Sequence, residues 1–212
     1  MDLFFRYSLL WTLAETASTR YEIIAFITRS WGRGECVMTA LSYVDGEVTS
    51  AKSVGPMIVA HVCNEVGIWI GKNAKTIARQ WPEVRFAYYR WYRNRIRNDF
   101  ASGAVQFVDQ SQQNLQLKIR VANLIAQPNH RRAIGYWAFE KCLLAVALKA
   151  RKIGATVHLS KIGIDQTRNW LYLEDMISRI LSDNGIRVFI YVAFKPVNRR
   201  VDSGFQKNEN CD

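Results

Sequence analysis

The amino-acid sequence predicts an α/β fold in which a mixed or largely parallel sheet carries helices on both faces. Strand-like and helix-like segments alternate from residue 40 onward, which is the pattern of a sheet buried between two helical layers. A length of 212 residues suits one domain with an appendage, and a hydrophobic share of 49% is enough to build its core. These observations argue against a disordered chain and against two full domains.

The first half of the predicted domain contains a buried strand and two helices. Residues 57–64 form a short apolar, β-branched run that suits a strand buried on both faces. Residues 72–80 and 83–93 indicate helices. We expect a break between them at Trp81, because the residue before a proline avoids the helical conformation.

The second half continues the alternation to residue 194. Apolar residues recur at spacings of three and four within residues 133–152, which predicts an amphipathic helix that ends at Gly154. A similar stripe that starts at Trp170 predicts the last helix. Strands are predicted over residues 105–109, 115–125, 155–159 and 187–194.

The chain divides into three parts. Residues 1–37 differ from the rest and are expected to form an N-terminal extension, in which residues 21–28 fit a strand or a short helix equally well. The domain itself is expected over residues 38–194. Residues 195–212 are expected to form a polar C-terminal tail.

Several features favour a cytoplasmic protein. The apolar run over residues 7–14 loosely imitates a secretory signal peptide, but Asp2 and Glu15 interrupt both ends of that pattern. The four cysteines are widely spaced and form no CxxC pair, which favours reduced thiols. The longest uncharged stretch, residues 53–64, is well short of the roughly 20 residues that cross a bilayer, so we expect no membrane partner.

The formal charge indicates an anionic partner. Lysines and arginines number 29 and acidic residues 18, which gives a formal charge of +11. The whole excess lies in residues 38–212, because residues 1–37 carry four basic and four acidic residues. Such a balance favours ligands with phosphate groups, either a nucleotide or a nucleic acid.

Two strand-to-helix junctions are the candidate phosphate-binding loops. Residues 64–72, here called the first loop, and residues 160–168, the second loop, each combine glycine with main-chain N–H groups near a helix start. Unpaired donors and the positive end of the helix dipole attract phosphate at such a position. Neither loop carries a Walker or GxGxxG motif, so each also fits a plain connection.

Five short pieces of sequence occur in an order and at spacings that are specific as a set. They are YVDGEVT at 43–49, AHVCNEVGIW at 60–69, WPE at 81–83, VANLIAQ at 121–127 and VHLSKIG at 157–163, with Trp170 beyond. This series, which covers about residues 41–192, resembles the macro domain family, in particular the branch found in bacteria and phages and at the end of a chromatin remodeller. The resemblance implies a three-layer α/β/α sandwich with a mixed central sheet and a cleft for ADP-ribose.

The resemblance also implies roles for individual residues. Glu47 matches an acidic residue, usually aspartate, that accepts the adenine amino group; Asn64 matches an asparagine that faces the distal ribose, and Tyr191 an aromatic that packs on adenine. The two loops would clasp the diphosphate through their main chain. The implied ligand site comprises Glu47, Val48, Asn64, Gly67, Trp69, Gly71, Ile162, Gly163, Ile164, Asp165, Gln166 and Tyr191, without metal or cofactor.

Both loops depart from the glycine pattern of the family. Relatives commonly carry GxWGxG in the first loop, whereas Ile70 and Lys72 replace its second and third glycines here. Glycine allows positive φ and close approach of the main chain to a ligand, and isoleucine disfavours both. The second loop, SKIGID at 160–165, also has fewer glycines. We therefore expect a remodelled phosphate clasp, in which Trp69 either covers a ribose or fills the core.

Some members of the family hydrolyse ADP-ribose derivatives, such as ADP-ribose-1″-phosphate, and others only bind them. Hydrolysis needs a water polarised by an acid, or a nucleophilic lysine with an aspartate partner. Asp165 is the candidate catalytic residue, and its alternative role is to cap the following helix. The matching lysine motif is absent, although Lys72 and Lys75 lie near the first loop. We therefore favour binding of ADP-ribose or an ADP-ribosylated protein over hydrolysis.

An aromatic and arginine-rich stretch supports a third function. Residues 88–97 interleave aromatic side chains with four arginines, as binding of single-stranded nucleic acid or poly(ADP-ribose) requires. The alternative is an amphipathic helix whose aromatics face the core and whose arginines are solvated. His61 and Cys63 share one strand face, but two ligands do not define a zinc site, so we favour a core histidine and expect no metal.

Overall fold

A six-stranded mixed sheet forms the centre of the fold in the computed structural model, which describes residues 41–111, 118–162 and 170–192. The strands are β1 (Leu41–Asp45), β2 (Met57–Asn64), β3 (Val105–Ser111), β4 (Lys118–Gln127), β5 (Thr156–Ser160) and β6 (Val188–Val192). Their spatial order is β1, β6, β5, β2, β4, β3. All neighbouring strands are parallel except β3 and β4, which are antiparallel.

The described residues contain four α-helices whose bounds lie within about three residues of those that the local sequence predicts. They are α1 (Lys72–Gln80), α2 (Pro82–Arg93), α3 (Tyr136–Ile153) and α4 (Trp170–Ile180). Between α1 and α2, Trp81 has a non-helical φ of −136° and ψ of 78°, because Pro82 follows it. Helix α3 ends where Gly154 adopts a left-handed φ of 63°.

The side chains of β2 alternate between the two helical layers. Ile58 and Ala60 pack in a hydrophobic cluster with α3 and α4, whereas Met57 and Val59 pack in a second cluster with α1 and α2. A strand covered on both faces needs apolar residues at nearly every position, which explains the uninterrupted apolar run. The predicted three-layer α/β/α sandwich with a mixed sheet is confirmed.

The described residues all lie inside the domain predicted over residues 38–194. The expected N-terminal extension and C-terminal tail, with the segment 21–28, lie outside the described residues. The strand predicted over 115–125 corresponds to β4, which is described from Lys118 and continues to Gln127. Within the described ranges, none of the helices combines the length and the apolar character that crossing a membrane requires.

A chain of polar side chains crosses the sheet from β2 to β3. His61 Nε2 lies 2.7 Å from Asn123 Oδ1, and Asn123 Nδ2 donates to Gln106 Oε1 at 2.9 Å. Gln106 Nε2 then donates to the main-chain oxygen of Ala87 in α2 at 3.2 Å. Burial lowers the pKa of His61 to about 4, so the neutral ring donates its Nε2 proton to the asparagine. His61 is therefore a hydrogen-bonded core residue.

A second buried histidine lies on β5. His158 Nε2 is 2.8 Å from Thr156 Oγ1, and its Nδ1 is 3.2 Å from the hydroxyl of Tyr191. The ring stacks on Phe189 with the centroids 4.9 Å apart. Burial lowers the pKa of His158 to about 4 as well. Both histidines are therefore neutral in the folded chain at pH 7.

We expect the free energy of unfolding to fall by about 2 kcal/mol per buried histidine between pH 7 and pH 5. The folded pKa values lie near 4, below the unfolded value of about 6.5. The unfolded chain therefore binds more protons in this window, and stability is lost as the pH falls. Urea unfolding at both pH values measures the effect. His158→Gln should remove about half of the pH dependence; an unchanged dependence would contradict the assignment.

Candidate functional site

A cleft of about 470 Å³ opens at the carboxyl ends of the parallel strands. Residues at or next to the ends of five strands line it, namely Gly46 after β1, Asn64 of β2, Gln127 of β4, Ser160 of β5 and Tyr191 of β6. Parallel strands bring their ends to one edge of a sheet, and open α/β sheets bind ligands at that edge. The cleft volume lies within the range of about 300–1,000 Å³ that small-molecule sites occupy.

The side chain of Asn64 fixes the shape of the first loop. Its Oδ1 accepts the main-chain N–H groups of Val66 at 3.2 Å and Ile68 at 3.1 Å, and its Nδ2 donates to the main-chain oxygen of Ile68 at 2.6 Å. Tyr88 of α2, which is fully buried, donates its hydroxyl to the main-chain oxygen of Asn64 at 2.6 Å. Asn64 thus shapes the cleft wall, and its contact with a distal ribose stays a prediction.

The two glycines predicted to bind ligand in the first loop have different surroundings. Gly67 has a φ of 71°, and a Cβ there would lie 2.3 Å from the ring of Tyr92, so glycine lets the loop rest on α2. It does not belong to the described residues that line the cleft. Gly71 lines the cleft immediately before α1, has a φ of 101°, and a Cβ there would meet nothing within 4 Å. Gly71 therefore borders open space at a helix start.

Trp69 and Ile70 leave the cleft open. The indole of Trp69 donates to the main-chain oxygen of Ala74 at 2.8 Å, and its ring centroid lies 4.9 Å from His61 and 5.5 Å from Tyr88. Trp69 thus fills the space beneath the first loop and also contributes to the cleft wall. Ile70, which replaces a family glycine, is half exposed and lines the wall of the open cleft without filling it.

An ion pair spans one end of the cleft. Lys72 Nζ lies 3.6 Å from Glu47 Oε1, and the two side chains are 68% and 44% exposed. Solvent screens such a pair, so it contributes little to stability, and both charges remain free to turn to a ligand. Val48 is instead buried among core residues, so its side chain does not line the cleft within the described part of the chain.

Tyr191 lies in the cleft wall with little free surface. Its residue exposure is only 7%, and its ring belongs to the hydrophobic cluster between the sheet and α1. The hydroxyl lies 3.2 Å from Nδ1 of His158, which fixes the ring orientation. The packing of adenine on Tyr191 stays a prediction, because most of the ring already contacts the core.

Only the start of the second loop belongs to the described residues. Ser160, Lys161 and Ile162 line the cleft, and the main-chain N–H of Lys161 donates to the main-chain oxygen of Tyr191 at 2.8 Å. The Lys161 ammonium lies 5.5 Å from the centroid of the Trp170 ring. The other residues predicted in this loop lie outside the described residues: Gly163, Ile164, Asp165 and Gln166.

The far wall of the cleft contains residues that the sequence analysis did not select. His130 and Ile134 line it from the connection between β4 and α3, Tyr136 lines it from the start of α3, and Trp170 and Leu173 line it from α4. The signal that could have found them is the parallel direction of β4. All parallel strands of one sheet bring their following loops to the same edge, so this connection belongs to the cleft.

The two cysteines of the described residues, Cys63 and Cys142, are buried and unreactive. Burial raises the pKa of Cys142 to about 12 and that of Cys63 well above its ordinary value, so both thiols stay protonated at pH 7. No cluster of three or more His, Cys, Asp or Glu side chains in the described ranges could hold a metal ion. The acidic and basic side chains among the described cleft residues, histidines aside, are Glu47, Lys72 and Lys161.

Solved structures share this fold at substantial sequence identity. A macrodomain protein from Streptomyces coelicolor is 38% identical, with a TM-score of 0.65, over 72% of this chain and 98% of that one. The chain therefore belongs to the macrodomain family, as the sequence resemblance implied. A protein of unknown function from Bacteroides thetaiotaomicron is 28% identical, with a TM-score of 0.66, over 73% of this chain and 99% of that one.

More distant structures show the fold alone. Thermosipho africanus DarTG, solved in complex with ADP-ribose, is 15% identical, with a TM-score of 0.53, over 68% of this chain and 39% of that one. No protein-family model and no curated protein sequence matches the chain.

We expect Gly67→Ala to destabilise the fold more than a comparable glycine substitution elsewhere. The left-handed backbone costs about 1–2 kcal/mol for alanine, and the collision with Tyr92 adds about 1–3 kcal/mol. Gly154→Ala is the matched control, because Gly154 has a φ of 63° and a Cβ there would meet nothing within 4 Å. Urea unfolding compares the two variants, and equal losses would show that the contact with Tyr92 costs nothing.

Proposed function

We propose that this macrodomain binds ADP-ribose, free or attached to a protein, in the cleft at the strand ends. The observation that carries the proposal is that a helix start bordered by open space at Gly71 and an exposed carboxylate, Glu47, lie in one cleft. A diphosphate needs main-chain donors, and an adenine amino group needs an acceptor. That DarTG, part of which shares this fold, was solved in complex with ADP-ribose also supports this ligand.

The diphosphate would lie at the start of α1. The N–H groups in the first turn of a helix have no partners within the helix, and the helix dipole is positive there. Lys72 is the first residue of α1, lines the cleft and adds a full positive charge where relatives have glycine. The ammonium of Lys72 thereby supplements the main-chain N–H donors at the start of α1.

The adenosine end would lie near Glu47. Its carboxylate is partly exposed in the cleft and lies 3.6 Å from the ammonium of Lys72. When the ammonium turns to the diphosphate, the carboxylate becomes free to accept the adenine amino group. Asn64 would act mainly by holding the first loop in shape, since its Oδ1 already accepts two main-chain N–H groups.

Hydrolysis of ADP-ribose derivatives is the alternative function. Its candidate acid, Asp165, lies outside the described residues. Among the described cleft residues, His61 is a weak base because burial lowers its pKa to about 4, and its Nε2 is hydrogen-bonded to Asn123, so it does not suit a general base at pH 7. We therefore propose binding as the function. Two activities would indicate hydrolysis instead: release of ADP-ribose from a modified protein, or release of phosphate from ADP-ribose-1″-phosphate. Either activity should then be lost in Asp165→Ala.

We expect the full chain to bind ADP-ribose at least about tenfold more tightly than ADP or AMP, because the distal ribose adds contacts at the strand ends. Isothermal titration calorimetry with the three ligands measures the difference. Equal affinities would show that the distal ribose is not recognised. Absence of heat with all three ligands would contradict the proposed function.

We expect Lys72→Met to weaken ADP-ribose binding by about tenfold or more, because the variant loses a charge-assisted hydrogen bond to the diphosphate. Lys75→Met is the matched control: this lysine is exposed on the same helix but is not among the described cleft residues. Calorimetry at two salt concentrations should show a weaker salt dependence for Lys72→Met only. Equal affinities of the two variants for ADP-ribose would show that Lys72 does not bind the diphosphate.

A further inference from the structure

The basic charge of the chain is concentrated on one helical layer. Residues 72–97, which comprise α1, α2 and the turn that follows, contain eight basic residues and one acidic residue, or +7 of the formal +11. Helices α3 and α4 on the opposite face of the sheet together carry five basic and three acidic residues. The layer of α1 and α2 therefore accounts for most of the net positive charge of the chain.

Helix α2 separates its aromatic residues between two faces. Tyr88 and Trp91 are buried against the sheet, as the amphipathic alternative in the sequence analysis expected. Phe86 and Tyr89 are instead 46% and 37% exposed. Residues three and four positions apart lie on the same face of a helix. The exposed residues Phe86, Tyr89, Arg90 and Arg93 have this spacing, so the two rings lie beside the two arginines on the outer face of α2.

The arginines on the outer face of α2 and in the turn after it form no ion pair with a described acidic residue. Arg95 lies over the ring of Tyr92, with its guanidinium carbon 4.4 Å from the ring centroid. The nearby Asp99 accepts the indole N–H of Trp91 at 2.8 Å. Ion pairs between described residues involve other cations and leave four arginines of this face without a carboxylate: Arg90, Arg93, Arg95 and Arg97. Their charges are therefore available to an external anion.

We propose that this surface binds single-stranded nucleic acid, independently of the cleft. The basic face is defined as Phe86, Tyr89, Arg90, Arg93, Arg95 and Arg97. Guanidinium groups neutralise backbone phosphates without regard to sequence, and exposed rings stack on unpaired bases. Duplexes keep their bases stacked on each other, so single strands fit the exposed rings better. The 12 residues of α2 extend over about 18 Å, enough for a few nucleotides.

Fluorescence polarisation of the full chain with 12-nucleotide oligothymidylate and oligouridylate tests this proposal, and the two probes distinguish DNA from RNA. We expect the triple variant Arg90→Gln/Arg93→Gln/Arg97→Gln to bind more than tenfold more weakly and to reduce the salt slope by about 2. Phe86→Ala/Tyr89→Ala should weaken binding while leaving the salt slope unchanged. The matched control, Lys149→Gln/Arg151→Gln/Lys152→Gln, removes the same charge from α3 and should bind as the unmodified chain does.

Four results would overturn the proposal. They are absence of binding to either oligonucleotide, equal loss in the control variant, binding of poly(ADP-ribose) without binding of oligonucleotides, and displacement of the oligonucleotide by saturating ADP-ribose. The last result would place the nucleic acid in the cleft. The substituted residues lie outside the described cleft residues, so the calorimetry with ADP-ribose should be unchanged in every variant. Failure of this proposal is thus distinguishable from failure of the proposed function.

Discussion

The packing of α2 under the first loop is the contact on which the cleft depends. Tyr88 donates its hydroxyl to the main chain of Asn64, and Asn64 closes the loop with its side-chain amide. Burial raises the pKa of Tyr88, so the phenol remains a donor at any physiological pH. Gly67 then lies against Tyr92, which leaves no room for a larger residue. The wall before Gly71 is therefore formed before any ligand arrives, which reduces the entropy cost of binding.

The two faces of α2 therefore carry side chains with different contacts. The inner face of α2 supplies the buried aromatic side chains that support the cleft wall, and the outer face carries Arg90 and Arg93, which form no ion pair with another described residue. Because the helical repeat places these sets on opposite sides, the outer charges can change without disturbing the loop. Ile70 and Lys72, which depart from the glycine pattern that the resemblance implies, are compatible with this arrangement. Lys72 brings a cation to the cleft, while packing from α2 supplies the rigidity of the loop.

The fold followed from local patterns, whereas parts of the site depend on contacts that no local pattern shows. The apolar run of β2 and the proline after Trp81 place a buried strand and a helix break without reference to the rest of the chain. The division of residues 88–97 into buried and exposed aromatics depends on how α2 rotates against the sheet, which tertiary packing decides. The structural role of Gly67 likewise depends on Tyr92, a residue in another element. His130 was missed because its loop carries no glycine-rich motif, although it follows a parallel strand into the cleft.

The central claim is that the diphosphate of ADP-ribose lies against the main chain of the first loop and the start of α1. Amide chemical shifts of the ¹⁵N-labelled full chain, followed during titration with ADP-ribose, test it most directly. The account predicts saturable shifts for residues 66–73 and for Ser160, Lys161 and Ile162, with the amide shifts of the exposed residues Arg90 and Arg93 unchanged. Shifts confined to α2, or no shifts at saturating ligand, would contradict it.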